Sequence, residues 1–243
     1  MEAIKFTLKG RNAFFRNPEV NSIYYPTYGH IHKVALLGIF GAILGYGGYG
    51  HTRAQDTEYP EFYAKLKDTQ VGIVPRNCKN AYFFKKIQSF NNSVGYASQE
   101  QGGNLIVREQ WLENPCWDIY VLLDNEESIK LYEQLKNHRC VYMPYLGSND
   151  HMADILNVEK VTLSEVESDN AVIIGLIPGL ETKVEDLDDI DNPYKYEEYL
   201  PIALSDNLNQ HCLERFICSN MYARVQGYPV YQIEQTKEKI VLF

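Results

Sequence analysis

The chain has 243 residues, 45% of them hydrophobic, 13% aromatic and 23% charged, a globular balance that excludes the disordered, collagenous and coiled-coil classes. Its net charge of −9 is unevenly spread: residues 1–110 carry 13 Lys or Arg against 8 Asp or Glu, and residues 111–243 carry 10 against 24. A polyanion responds to the local field, so the amino-terminal half remains a candidate for RNA binding.

Ile4, Phe6 and Leu8 alternate with Lys5, Thr7 and Lys9, which predicts a half-buried strand ended by Gly10. A polar-aromatic loop follows through Tyr28. Val34 to Leu44 reads as a buried helix of about three turns, and the apolar run to Gly50 is too short and too glycine-rich to span a membrane. The small residues Ala35, Gly38, Gly41, Ala42 and Gly45 permit close approach of a neighbour, at about 1 kcal/mol per interior Gly. Strands are expected near Gln70–Val74, Ala81–Ser89, Asn104–Gln110 and Asp118–Leu123, with the polar segment Ser89–Gly103 as an exposed hairpin tip. Asp124 or Asn125 caps a second helix reaching about Asn137, with Ile129, Tyr132 and Leu135 as its apolar stripe. Ser148 or Asn149 then caps a short helix through Ile155. Val158–Leu163 and Ala171–Leu176 are strands. Residues 181–198, with eight acids and two lysines, form a loop, and Tyr228–Ile233 pairs with Lys239–Phe243. This order predicts an α+β fold: a ferredoxin-like core with a long hairpin between its second and third strands, in one elaborated domain.

No signal peptide opens the chain, and the five cysteines show no CxxC spacing, so they read as reduced thiols of a cytoplasmic protein without a metal or other cofactor. The glycine cluster at 45–50 follows a helix rather than opening one, unlike a phosphate-binding fingerprint. Asp186–Asp191 reads as a solvated charge run. Two constellations remain. Arg11, Arg16 and Lys33 surround Phe14, Phe15, Tyr24, Tyr25 and Tyr28; single-stranded RNA readers combine such cations with stacking faces. The free N–H groups at the start of the Val34 helix add an expected phosphate site beside Lys33. His30 and His32, with Tyr28 or Lys33, form the second, an acid–base pair for a ribose 2′-OH, though no strong nucleophile or orienting carboxylate sits near them in sequence.

Several motifs together resemble a known family: Phe15-Arg-Asn-Pro-Glu-Val20, Tyr25-Pro-Thr-Tyr28, the Lys33–Gly45 helix, Glu109-Gln-Trp-Leu-Glu-Asn-Pro115, Tyr145-Leu-Gly-Ser-Asn149 and the terminal Lys239-Ile-Val-Leu-Phe243. Over most of its length the chain resembles the CRISPR-associated Cas-five family, RAMP-type subunits of type I Cascade complexes, and is most like type I-B members. The resemblance implies a ferredoxin-like (RRM-type) palm over about 1–80 and 104–180, a β-hairpin thumb over about 81–110, an acidic loop at 181–198 and a β-rich elaboration ending in strands at 228–243. It implies binding of the crRNA 5′ handle, contacts with the Cascade backbone and large subunits, target DNA near the PAM end, and no membrane partner. By the same resemblance Arg11, Asn12, Phe15, Arg16, Tyr28, His30, Lys33 and Arg53 lie at the RNA, Arg108 and Gln110 approach from the sheet, and Lys85 and Lys86 from the thumb. A type I-C branch of the family cuts precursor RNA with a Tyr and a Lys-His pair. Tyr28 falls at the Tyr position, but Gln110–Asp118 holds no Lys-His pair, so the expectation is an RNA-holding subunit, with an endoribonuclease as the alternative.

Overall fold

A computed structural model of the chain describes residues 1–20, 23–50, 58–91, 93, 95–101, 103–167, 171–186, 190–206 and 208–243. The first strand, β1 (Glu2–Lys9), buries Ile4, Phe6 and Leu8 as its alternation demands. After the two-residue strand β2 (Asn12–Ala13) and a long loop comes α1 (Lys33–Leu44), one residue longer than expected. It ends at Gly45 with φ +83°, a left-handed cap donating its N–H to the Gly41 carbonyl, a conformation glycine adopts without steric cost. Gly41 answers a different need: a Cβ there would overlap the Phe62 side chain, which comes from α2 (Glu61–Leu66).

The chain continues through β3 (Val71–Pro75), the hairpin β4 (Lys85–Asn91) and β5 (Ile106–Glu113), β6 (Cys116–Leu122) and α3 (Glu126–Lys136). Asn125 caps α3 in a reciprocal capping box with Ser128. The buried stripe of α3 is Ser128, Leu131 and Leu135, whereas Ile129 is 54% exposed. Of the expected stripe, Leu135 is buried and Tyr132 packs against the core, while Ile129 lies outside it. Where a short helix was expected ahead of Ile155, a turn leads into β7 (Asp154–Val166).

β7, β1, β6 and β3 lie side by side in that order, all antiparallel. Strands taken first, second, third and fourth along the strand-helix-strand-strand-helix-strand path thus sit in the spatial order fourth, first, third, second. β14 (Val230–Ile233) and β15 (Lys239–Val241) extend the sheet beyond β7. Val71 and Phe243 exchange two backbone hydrogen bonds of 3.0 Å, which brings the far end round to β3 and leaves the sheet nearly closed. α1 packs on one face, with Phe6 and Phe40 edge to face at 6.3 Å. A second apolar cluster, including Tyr120, Leu163, Tyr231 and Leu242, fills the concave side.

The stretch expected as an acidic loop contains β10 (Lys183–Glu185) and most of the first half of β11 (Lys195–Leu204), which pairs with β12 (His211–Ser219). β8 (Ala171–Val172) and β9 (Ile177–Pro178) replace the single strand expected over Ala171–Leu176. β8 joins β13 (Tyr222–Arg224) and β10, and β9 joins β12. β12 and β13 were likewise not expected as strands, and β11 matters to the site because it packs on α1.

Candidate nucleic-acid interface

The loop between β2 and α1 is a folded excursion held along its own length. Tyr28 donates its backbone N–H to Phe15 at 2.8 Å, Arg16 and Thr27 form an isolated bridge, and Asn17 donates to Pro26 at 2.9 Å. The Thr27 hydroxyl accepts from the Phe15 N–H and donates to the Tyr28 carbonyl. At its outer turn the loop docks on β5. Tyr25 donates to the Arg108 carbonyl and accepts from the Gln110 N–H, both at 2.9 Å.

That docking brings three of the expected residues together. The Arg16 guanidinium lies over the Tyr25 ring at 4.1 Å, a cation–π arrangement that holds the long side chain in place. Arg108 and Gln110 are the strand neighbours of Tyr25. Arg11, Arg16 and Arg108 are all exposed, and among the described residues none has an acidic partner. Their charge is uncompensated. Beside Arg16 a cavity of about 610 Å3 runs over the face of α1 bearing Ala35, Gly38 and Ala42, rimmed by Tyr49, Tyr142 and Tyr145. A Cβ at Gly38 would meet nothing within 4 Å, so the small residues on this side leave open space rather than a packed contact.

Other expected residues are placed differently. Phe15, Tyr28 and His30 are only 2%, 2% and 0% exposed, so their rings are closed to a polynucleotide. Phe15 and Phe83 pack edge-on against the buried Trp117, whose indole N–H donates to His30 Nδ1 at 3.3 Å. Burial pushes the Tyr28 hydroxyl up to about 12 and pulls His30 down to about 3, because desolvation disfavours either charged form. These three side chains shape the loop from beneath. At the start of α1, where a phosphate site was expected, His32 is buried and its Nδ1 accepts one of the free N–H groups, that of Ala35, at 3.2 Å. Lys33 is half-buried, which lowers its ammonium to about 8. Asn12 is partly buried in β2, and its Oδ1 finds no partner among the described residues. Arg53 lies outside the described residues.

The two hairpin lysines separate. Lys85 stands opposite Leu112 and Lys86 opposite Trp111; because side chains alternate along a strand, they project from opposite faces of the hairpin. Lys85 shares a face with Arg108 and Gln110, and it donates to the Thr27 carbonyl at 3.3 Å. Lys86 is on the other face, 3.5 Å from Glu113 and 5.9 Å from the Trp111 ring centre.

One supporting group was not legible in the sequence. Glu198, on β11, accepts the Gly29 N–H at 2.9 and 3.0 Å through its two oxygens and the Tyr196 hydroxyl at 2.7 Å. Burial raises its pKa, against the hydrogen bonds from Gly29 and Tyr196 and the nearby Lys85 charge. This half-buried carboxylate clamps the loop between Tyr28 and His30. Its position in an acid-rich run masked it.

Neither a family model nor a curated protein matches the sequence. Solved structures do match. A CRISPR protein from Archaeoglobus fulgidus superposes over 99% of both chains with a TM-score of 0.54 at 12% identity. A chain of a CRISPR RNA-guided surveillance complex does so over 93% of both chains, with a TM-score of 0.52 at 15% identity. The chain has the fold of CRISPR-associated proteins. At such identities the likeness concerns backbone architecture, and within this CRISPR-type fold the exposed arginines sit where the loop meets the hairpin.

Proposed function

We propose that the chain is a non-catalytic RNA-binding subunit of a type I Cascade complex, holding the 5′ handle of the crRNA and contacting the backbone and large subunits. The observation that carries this reading is the docking of the loop on β5, which sets Arg16, stacked on Tyr25, beside the strand segment bearing Arg108 and Gln110. Exposed arginines without acidic partners attract phosphates, and the tyrosine-rimmed cavity beside Arg16 has room for splayed bases. The spatial order of β7, β1, β6 and β3 supports a ferredoxin-like RAMP palm, with the β4–β5 hairpin as its thumb and the strands from β8 onward as its elaboration in a single domain. Arg11 extends the basic edge, and Lys85 supports it from below. Acidic surface in the carboxy-terminal half suits protein contacts, target DNA passes near the PAM end of the particle, and the assembly is cytoplasmic. A Tyr28 hydroxyl near 12 and a His30 near 3 support holding RNA rather than cutting it, because general acid–base groups work best near the operating pH.

The test is binding of the purified subunit, alone and in co-expressed complex, to crRNA with and without its handle. Handle-bearing RNA is expected to bind more tightly, and equal binding overturns the handle role. Incubation of the lone protein with a repeat hairpin in EDTA addresses catalysis. Specific cleavage that is lost in Tyr28→Phe would establish the endoribonuclease instead.

A further inference from the structure

On the face of the hairpin opposite Arg108, at its base, lies a cleft of about 250 Å3 lined by Asn77, Cys78, Lys79, Tyr82, Phe83, Phe84, Glu113 and Asn114. It is smaller than a typical drug-sized pocket and of a size to suit a single planar ring system. Two of its walls are aromatic and open. Phe84 is 70% exposed and Tyr82 46%, and the two rings stand edge to face at 6.4 Å. Phe83 between them turns the other way, into the core beside Trp117. Phe84 continues the β4 strand, since its carbonyl accepts the Glu113 N–H at 2.8 Å. Its ring therefore stands on the same face as Lys86 and Trp111.

The polar lining is equally specific. Asn77 and Asn114 are exposed, and among the described residues neither side-chain amide has a partner. An amide offers one donor and one acceptor side by side, the pattern that reads a purine edge. Lys79 is exposed and has no acidic partner among the described residues, which leaves a cation for a phosphate. Glu113 is already engaged by Lys86. No Leu, Ile, Val or Met lines the cleft, unlike the aliphatic centre of a protein–protein patch. Asn77, Asn80, Ala81 and Asn114 all hold positive φ, between 46° and 58°. Ala81 in particular adopts that conformation at a cost, and strain of this kind persists where a fixed display of neighbouring side chains is maintained.

We propose that this cleft is a second nucleic-acid site, taking one unpaired purine of a single strand, with its ring stacked on Phe84, its edge on Asn77 and Asn114, and its phosphate near Lys79. The site lies on the face of the hairpin opposite Arg108 and includes neither Arg16 nor Arg108.

The experiment uses the full chain and fluorescently labelled six-nucleotide oligoadenylates, as RNA and as DNA, in low salt. Phe84→Ala is expected to weaken binding about ten-fold, the size of one lost base stack, and Phe84→Tyr to retain it. Because the ring is largely in solvent, the alanine variant should fold normally, which circular dichroism checks. Loss with RNA alone identifies a ribose-reading site, and equal loss with RNA and DNA identifies a strand-general one; both support the site. Arg16→Ala with Arg108→Ala reports on residues outside the cleft, so its outcome is independent. If those two substitutions do nothing while Phe84→Ala weakens binding, the cleft stands on its own; the handle reading is decided separately by crRNA with and without its handle. Wild-type affinity in Phe84→Ala overturns the proposal, as does Phe84→Ala merely weakening co-purification of another subunit, which makes the surface a protein contact.

Discussion

Replacing Gly29 by Ala tests whether the clamp beneath the loop is as tight as its geometry states. A Cβ on Gly29 would overlap the Tyr196 hydroxyl and sit 3.1 Å from Glu198 Oε2. Overfilling a packed site costs about 1–3 kcal/mol, and disturbing hydrogen bonds to a half-buried charged acceptor adds about 1.5–3 kcal/mol. Because the same displacement causes both, about 3 kcal/mol is the expected loss. For a chain of this length that lowers the midpoint of thermal unfolding by roughly 6–12 °C. Tyr196→Phe removes the overlapped oxygen and, alone, costs about 1 kcal/mol for the hydroxyl's bond to Glu198. The double variant should therefore be more stable than the sum of the single losses, with a coupling of about 1 kcal/mol or more. Differential scanning fluorimetry with urea unfolding measures all three. An unchanged midpoint in Gly29→Ala, or strict additivity in the double variant, refutes the clamp.

The arginine face predicts a change in salt dependence: if Arg16 and Arg108 each neutralise one phosphate, each alanine substitution should flatten the plot of log affinity against log salt by about 0.7 for single-stranded RNA, read by fluorescence anisotropy. His30 gives a pH prediction. Its folded pKa, near 3, lies below the unfolded value of 6.5, so the stabilisation is complete above pH 6.5 and is lost as pH falls toward 3, by up to about 1.4 kcal/mol per unit. His30→Gln should make urea unfolding less sensitive to pH over that window. Trp117→Ala should cost about 3–5 kcal/mol, because the ring is wholly buried. Ile129→Ala, on the open side of α3, should stay within about 0.5 kcal/mol of wild type by the same urea measurement.

Where the local pattern alone dictates burial, the sequence was a good guide. The alternation in β1, the apolar run of α1 with its Gly45 stop and the turn-rich hairpin tip all sit close to where they were expected. β11 escaped because its inward positions include an acid: Tyr196 and Glu198 lie on its inner side, and Glu198 is satisfied by a backbone N–H 169 residues away. No window of neighbouring residues carries that information. The site divides along the same line. Arg16 was recognisable as a cation near rings and Arg108 only through the family resemblance, and both are at the surface. Phe15, Tyr28 and His30 were named for the same surface, yet Trp117 and Phe83 arrive from distant segments against Phe15 and His30, and Tyr28 turns in beside His32. The opposed directions of Lys85 and Lys86 follow from strand parity once the hairpin register is known, and the expected hairpin was already sufficient to infer it.

The pair of backbone bonds between Tyr25 and β5 grafts the basic loop onto the hairpin, while Glu198 ties the loop's other end to β11. A tilt of the hairpin would therefore draw on the loop at Tyr25 and carry the stacked Arg16 with it, against a tether at Gly29.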